Sequence, residues 1–289
     1  MNTDLTLVIM AAGLGRRFGG DKQLAPLGPA GEPMLVLSIR SAIACGFTRT
    51  VIVIRPELEM QFSVVLAYFI PNAKVHFCYQ SMMDVPEGCG GLVGLQRTKP
   101  WGTAHALWSA RHLVSGPMAV INADDFYGEG AFARLAAGLK TSPNEWMMVA
   151  YPIALTLSEH GGVNRGVCQV ADNRLQSVQE WLNIHWRNNE LVGEGPKEMT
   201  RLDAHSLVSM TCWGFSPSIF DVIKRELAAF IGQQGPQSQA ECYLPAVVQA
   251  AIEQGEPVSV SVASEPWLGV TYPKDTVWVK QQLLELLGD

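Results

Sequence analysis

Two stretches of the chain carry residues suited to handling phosphate. The first is Ala11-Ala12-Gly13-Leu14-Gly15-Arg16-Arg17-Phe18-Gly19-Gly20-Asp21-Lys22. Its small residues let the backbone approach a ligand closely, and backbone N–H groups can cradle phosphate oxygens. Arg17, as a planar fork, and Lys22, as a point charge, can neutralise a triphosphate. The second is Asp124-Asp125, which follows an apolar run. Paired carboxylates suit a hard cation, and Mg²⁺ takes one or two of them while phosphate oxygens and water complete its octahedron. Each stretch also has a plainer reading, the loop as a mere turn and Asp125 as a helix N-cap or Asx turn. Two other phosphate loops are excluded: Phe18 stands where the dinucleotide fingerprint needs a third Gly, and no Gly-Lys-Ser/Thr is present.

The elements that would position these groups alternate between strand and helix. Leu5–Met10, Thr50–Ile54, Val75–Tyr79 and Met118–Ala123 are short apolar or β-branched runs, as buried strands require. Met34–Cys45 and Thr103–Leu113 carry apolar residues at helical spacing. Strands joined through helices imply right-handed crossovers and a mostly parallel sheet, with ligands beyond the strands' carboxyl ends. The loop and the Asp pair both fall at such ends and should face one crevice. In the second half, Met147–Pro152, Gly166–Val170, Leu207–Phe215 and Val258–Val262 read as strands. Pro217–Phe230, Gln239–Gln254 and Asp275–Leu287 read as helices, and Asn183–Ser206 as a polar, irregular surface excursion. The expected fold is therefore α/β, a Rossmann-like, mostly parallel mixed sheet with helices on both faces. It forms one domain over residues 1–289, with a nucleotide-binding half about 1–150 and an acceptor-binding half about 151–289; no linker marks a split.

A net charge of -6 gives no general attraction for nucleic acid or an anionic membrane, so an anionic ligand must meet a local cluster of donors. The opening MNTDLTLVIMAAG lacks the basic residues of a secretory leader, and no window reaches the roughly 18 apolar residues a span needs. Six scattered cysteines without a CxxC pair read as reduced thiols of a cytoplasmic protein. His105 reads as a packing or hydrogen-bonding residue, and the other histidines show no metal spacing.

AAGLGRRFGGDKQ resembles the signature of the sugar-phosphate nucleotidyltransferase superfamily, in its single-domain bacterial branch. KPWGTAHAL resembles that family's base-reading segment, VINADDFYG its metal-binding strand end, and FSPSIFD, ECYLPAVV and WLGVTYPKD follow in the family's order. The resemblance implies that Ala12, Gly13 and Gly15 hold the triphosphate, and that Arg17 and Lys22 stabilise the transferring phosphoryl group and the leaving pyrophosphate. It implies a metal ligand in Asp124, for Mg²⁺, and backbone contacts to the base from Gly102 and Thr103. The family's base-reading Gln matches Gln80, with Gln96 as competitor, because Ser81–Pro100 intervenes before the Gly-Thr pair. A pyrimidine, UTP or CTP, is the base such an amide favours.

Asn164-Arg165-Gly166-Val167, followed by Gln179-Glu180, resembles the acceptor segment. There the Gly backbone and the Glu contact sugar hydroxyls, while a Lys holds the sugar phosphate. Trp181 and Leu182 replace the family's Lys-Pro here, and Arg165 can take the phosphate in place of the Lys; as a solvated loop charge it would do nothing. In many relatives a second metal ligand lies in Trp-x-Asp, which here is Trp267-Leu268-Gly269. The expected reaction joins an NMP from an NTP to a phosphorylated small molecule, first a sugar 1-phosphate, with release of pyrophosphate. A cytidylyltransferase for a non-sugar phosphate and a catalytically silent nucleotide-binding module are the alternatives, and a homo-oligomer is compatible with either.

Overall fold

The computed structural model describes residues 4–13, 22–90, 97–195, 199–234 and 239–288. The strands of the first half are apolar on both sides because both sides are covered. β1 (Thr6–Met10), β2 (Arg49–Ile54), β3 (Val75–Tyr79) and β4 (Met118–Asn122) pair in parallel, in the order β4-β1-β2-β3. Successive side chains point to opposite faces of a strand. Leu7 and Ile9 accordingly join one apolar layer, while Val8 and Met10 join the other. The first layer takes in α1 (Met34–Ala44), α2 (Glu59–Phe69) and α4 (Glu129–Thr141). The second takes in α3 (Thr103–Ser109), α5 (Ile219–Gln234) and α6 (Leu244–Glu253). On α5 the buried residues Ile219, Ile223, Leu227 and Ile231 recur every four positions, one stripe of a helix. Helices thus cover both faces, as the sequence implies.

The second half departs from parallel pairing. β6 (Trp146–Pro152) and β12 (Val258–Val262) pair in parallel. β7 (Val163–Ala171), β8 (Arg174–Arg187), β9 (Glu190–Glu194), β10 (Met199–Leu202) and β11 (Leu207–Phe215) pair antiparallel with their neighbours. Residues 183–206 are therefore not an irregular excursion, as expected above, but largely the end of β8 plus β9 and β10. Asp172-Asn173 closes the β7–β8 hairpin and Asn188-Asn189 the β8–β9 hairpin, each pair with positive φ. Tight two-residue hairpin turns need φ above zero at both central positions, and Asn and Asp tolerate it best.

Two features shape the site. The strand fragment β5 (Asp125–Phe126) pairs antiparallel with β13 (Leu268–Gly269), tying the Asp pair to the C-terminal segment. α7 (Asp275–Leu287) packs beyond it, through Val279 and Leu283 against Leu27, Met34 and Phe126. Along its length β11 also changes neighbours. Leu207–Ser209 pair with β7, whereas Trp213–Phe215 pair with β4. The cavity described next opens at this fork, a switch in strand pairing of the kind at which α/β sheets take up ligands.

Candidate functional site

The carboxyl ends of β3, β2, β1 and β4 are level. Gln80 N–H donates to the Ile54 carbonyl, Ala11 N–H to Val53 and Ala123 N–H to Met10. The segments leaving these ends border one cavity of about 600 Å³, a common size for a small-molecule site. Ala12, Gly13 and Lys22 lie on its wall, as do Gln80, Gly102 and Thr103, Asp124 and Asp125, and Arg165, Gly166 and Glu180. Gly15, Arg17 and Gln96 lie outside the described residues.

At the β1–β4 end, Lys22 Nζ donates to Asp124 Oδ2 at 2.6 Å. Gln23 Nε2 donates to the Gly13 carbonyl at 2.9 Å and so joins the two ends of the loop. Asp125 is not an N-cap, since α4 begins after Gly128. It sits in β5, buried, with Oδ2 accepting from Asn122 Nδ2 at 2.9 Å and 3.2 Å from the Tyr127 hydroxyl. Burial pushes its carboxyl up to about 6, and the charge of Asp124 adds to this; Lys22, Asn122 and Arg165 pull the other way. Asp125 Oδ1 accepts no hydrogen bond among the described residues. It faces Gly269, the position that breaks Trp-x-Asp. A Cβ placed there would lie 2.9 Å from that oxygen and would collide with the Trp267 ring. The room for a side chain at 269 is thus filled by Trp267, and the Asp125 carboxylate stands next to it.

At the β3 end, Gln80 and Gly102 are neighbours despite their separation in sequence. Gln80 Nε2 lies 3.2 Å from the Gly102 carbonyl and 3.0 Å from His105 Nδ1. His105 Nε2 lies 2.9 Å from the Asp84 carbonyl, an acceptor, so the ring is neutral with its proton on Nε2. Asp84 is held in turn by a two-pronged ion pair with Arg111, both arms 2.7 Å. Gly102 has φ of +103°, and a Cβ there would meet the Cys242 carbonyl at 2.5 Å. The Thr103 hydroxyl accepts from Leu244 N–H at 2.8 Å, which fixes the start of α6.

Burial drives His105 down to about 4, with Asp84 opposing and Arg111 and Arg97 assisting. A histidine whose folded value lies below its unfolded one gives stability that is complete above about pH 6.5 and is lost as pH falls through 4. The loss should be on the order of 3 kcal/mol. His105→Gln can keep both hydrogen bonds without titrating. Urea midpoints at pH 7 and 4.5 should therefore fall further for wild type than for the variant; equal falls would contradict this.

At the β7–β8 end, Gly166 pairs with Glu180 and Arg165 with Trp181 across the hairpin. Arg165 Nε donates to Thr156 Oγ1 at 3.2 Å, one terminal nitrogen to the Asn164 carbonyl at 2.9 Å, and the other to the Thr156 carbonyl. Its guanidinium carbon lies 5.0 Å from the centre of the Trp267 ring. One N–H remains on each terminal nitrogen, and no carboxylate pairs with Arg165 among the described residues. Burial draws it down to about 10, opposed by Asp125 and Glu180, and leaves it charged at neutral pH. It is not a solvated loop charge. Trp181, where the family has Lys, packs over Gly193 and Gly195 of the β8–β9 hairpin and its exit.

The chain is an α/β protein, a parallel sheet extended by an antiparallel lobe, with Lys22 and the Asp124-Asp125 pair beside the carboxyl ends of its strands. Residues 7–98 match the family described as the MobA-like NTP transferase domain. Among solved structures the chain is similar to an inositol-1-phosphate CTP transferase from T. maritima, with 14% identity, a TM-score of 0.65, and 99% of this chain and 98% of that one covered. It is also similar to a Bacillus anthracis protein assigned as a glucose-1-phosphate thymidylyltransferase, solved with sucrose; identity is 14%, TM-score 0.66, and coverage 96% and 95%. No curated protein matches the sequence.

Several residues of the site had no part in the sequence reading. Gln23 and Tyr127 stand inside motifs quoted there, and their types suit hydrogen bonding. Asp84 and Arg111, which support His105, lie far apart in sequence and carry no local signal. Among the described residues no helix is long and apolar enough to cross a membrane, and no three His, Cys, Asp or Glu form a metal-holding group.

Proposed function

We propose that the protein transfers an NMP from an NTP to a phosphorylated acceptor, a sugar 1-phosphate first, with release of pyrophosphate. The observation that carries this reading is one cavity lined by two separate sets of anion-handling groups. Lys22 and Asp124 form one set, and Arg165, half-buried and without a paired carboxylate among the described residues, is the other. Two separated phosphates can be seated there, and the Gly-rich backbone beside Lys22 suits the longer one. Both solved relatives are named for pyrimidine nucleotides and sugar or inositol phosphates, which supports UTP or CTP and a polyol acceptor. The free cysteines, five of six buried, support a reducing, cytoplasmic setting.

Asp124, with Asp125 Oδ1 beside it, would hold Mg²⁺; an oxygen without a hydrogen-bond donor, next to a second carboxylate, fits a hard cation that brings its other ligands as phosphate and water. When bound, that ion supplies positive charge to the triphosphate. Lys22, released from Asp124, donates to the transferring phosphoryl group. Arg165 fixes the acceptor phosphate with its two remaining N–H groups, and Gly166 and Glu180 face the acceptor's hydroxyls. The acceptor is its own nucleophile. A phosphate monoester has a second pKa near 6, so at neutral pH it needs no base. His105, neutral and buried behind Gln80, is not asked to be one. What remains is in-line positioning and charge stabilisation, the main demands of phosphoryl transfer.

The test is pyrophosphate release with Mg²⁺, each NTP and a panel of sugar, polyol and amino-alcohol phosphates. Turnover with a pyrimidine NTP and a sugar or polyol phosphate is expected. Turnover only with an amino-alcohol phosphate would move the acceptor class, and none with any pair would leave a nucleotide-binding module.

A further inference from the structure

Thr211 has φ of +59°. The other non-glycine residues with positive φ among those described are Asp172, Asn173, Asn183, Asn188 and Asn189. Asn and Asp enter this region readily, but a β-branched residue there is a genuine outlier and needs a surrounding structure that enforces it. Two observations show what enforces it and where it leads.

Thr211 lies in a bulge. Against β6, Ser209 pairs with Ala150, but the next registered pair is Trp213 with Met148, so three residues of β11 stand opposite one. The bulge coincides with the fork where β11 leaves β7 and meets β4. It is also clamped: the Met210 carbonyl lies 2.9 Å from the Tyr127 hydroxyl, which accepts from Asn122 N–H at 3.0 Å and sits beside Asp125. The strained residue is thus held to the same strand end that carries the carboxylate pair.

Thr211 lines the same cavity as Arg165 and the Asp pair, and its hydroxyl has no hydrogen-bond partner among the described residues. Its backbone N–H makes only a long contact, 3.4 Å, with Ser209 Oγ. A hydroxyl without a partner, held at a cavity wall by a conformation unfavourable to its own side chain, is explained by neither packing nor a protein hydrogen bond.

We infer that Thr211 is a specificity-determining residue: the bulge presents its hydroxyl to a hydroxyl of the acceptor, so the site selects polyhydroxylated phosphates over acceptors with an apolar or cationic body. The inference rests on the transferase reading above. Arg165 supplies the phosphate contact that every acceptor shares, whereas Thr211 reads what is attached to it. On the neighbouring wall Gly166, in register with both Ser209 and Glu180, offers its backbone to hydroxyls, and Glu180 its carboxylate.

Three variants test this. Thr211→Val keeps the β-branch and the strain but removes the hydroxyl. Thr211→Gly removes the strain and the hydroxyl together, and Thr211→Ser keeps the hydroxyl. The KM for glucose 1-phosphate or inositol 1-phosphate, whichever wild type uses, should rise about tenfold in Val and Gly, the value of one hydrogen bond. In Ser it should stay within about threefold. NTP KM and inhibition by inorganic phosphate, which has no body to read, should stay within about twofold in all three. Thr211→Gly should melt about 2–4 °C above Thr211→Val. Unchanged acceptor KM in Val, or equal losses for acceptor and inorganic phosphate, would overturn the inference alone. Wild type that releases no pyrophosphate and binds neither sugar phosphate by calorimetry would overturn the transferase reading, and this inference with it.

Discussion

Replacing Asp124 by Asn should cut turnover by at least about 10²-fold while the melting temperature stays within a few degrees of wild type. The two halves of that expectation have different physical origins. In the free protein Asp124 pairs with Lys22 at 2.6 Å, yet the two side chains keep 29% and 17% of their exposure. A pair so accessible to water contributes on the order of 0–1 kcal/mol to folding. Its value lies in what each partner does once separated. On the proposed reading the carboxylate would turn to a cation that arrives with the triphosphate, and the ammonium to the transferring phosphoryl group. Asn keeps the size and loses the charge, so ground-state NTP affinity in the absence of Mg²⁺ should change little. Lys22→Ala should act in parallel, with a large loss of kcat and a small loss of stability. Because the protein offers few oxygens, Mg²⁺ should bind weakly to the free protein and tightly only with NTP, and Asp124→Asn should weaken the second. Calorimetric titration of Mg²⁺ into each form measures both. Tight binding to the free protein would mean a more complete protein site than Asp124 and Asp125 provide. A collapsed melting temperature with normal activity per folded molecule would make the pair a structural one.

Where the chain obeys one strong local rule, sequence and structure agree closely. Val75–Tyr79, Leu207–Phe215, Val258–Val262 and Asp275–Leu287 have the bounds that their apolar patterns imply. Helix α2 carries little such signal. It buries only Phe62 and Leu66 while Met60, Val64 and Tyr68 stand exposed, so its apolar residues go all the way round and no period emerges. The lobe at 183–206 misleads for another reason. Its faces are polar, but Asn188-Asn189 is a hairpin signal, and the turn chemistry outweighs the composition. At the site, the loop and the Asp pair are legible because their chemistry is local. The contact between Gln80 and Gly102 is not, since the two lie 22 residues apart and no local spacing reports such a contact. Nor does any residue type announce the strain at Thr211, which comes from β11 serving β6, β7 and β4 in one strand.

The second large effect should come from Arg165. Arg165→Met should lower kcat/KM for the acceptor about 10²–10³-fold, with NTP affinity measured alone within about threefold of wild type. In the family pattern the acceptor's phosphate meets a Lys on the strand corresponding to β8. Here that position is Trp181, whose ring packs on Gly193 and Gly195, and its registered partner across the hairpin is Arg165. On the proposed reading Arg165 would supply that positive charge from the neighbouring strand. A half-buried guanidinium without a paired carboxylate costs the fold some desolvation, and hydrogen bonds to Thr156 and the Asn164 carbonyl offset it. Methionine would relieve the half-buried charge but leave those acceptors without a donor. The two effects oppose, so the melting temperature should move little. The ligand response should separate the variants instead. Millimolar inorganic phosphate should raise the melting temperature of wild type, because a ligand that binds only the folded state stabilises it, and should do so much less for Arg165→Met. Arg165→Lys restores charge without the fork and should recover part of both signals. If Arg165→Met instead loses NTP affinity and keeps its acceptor KM, the guanidinium belongs to the nucleotide end of the cavity, and the acceptor phosphate must be held by another group.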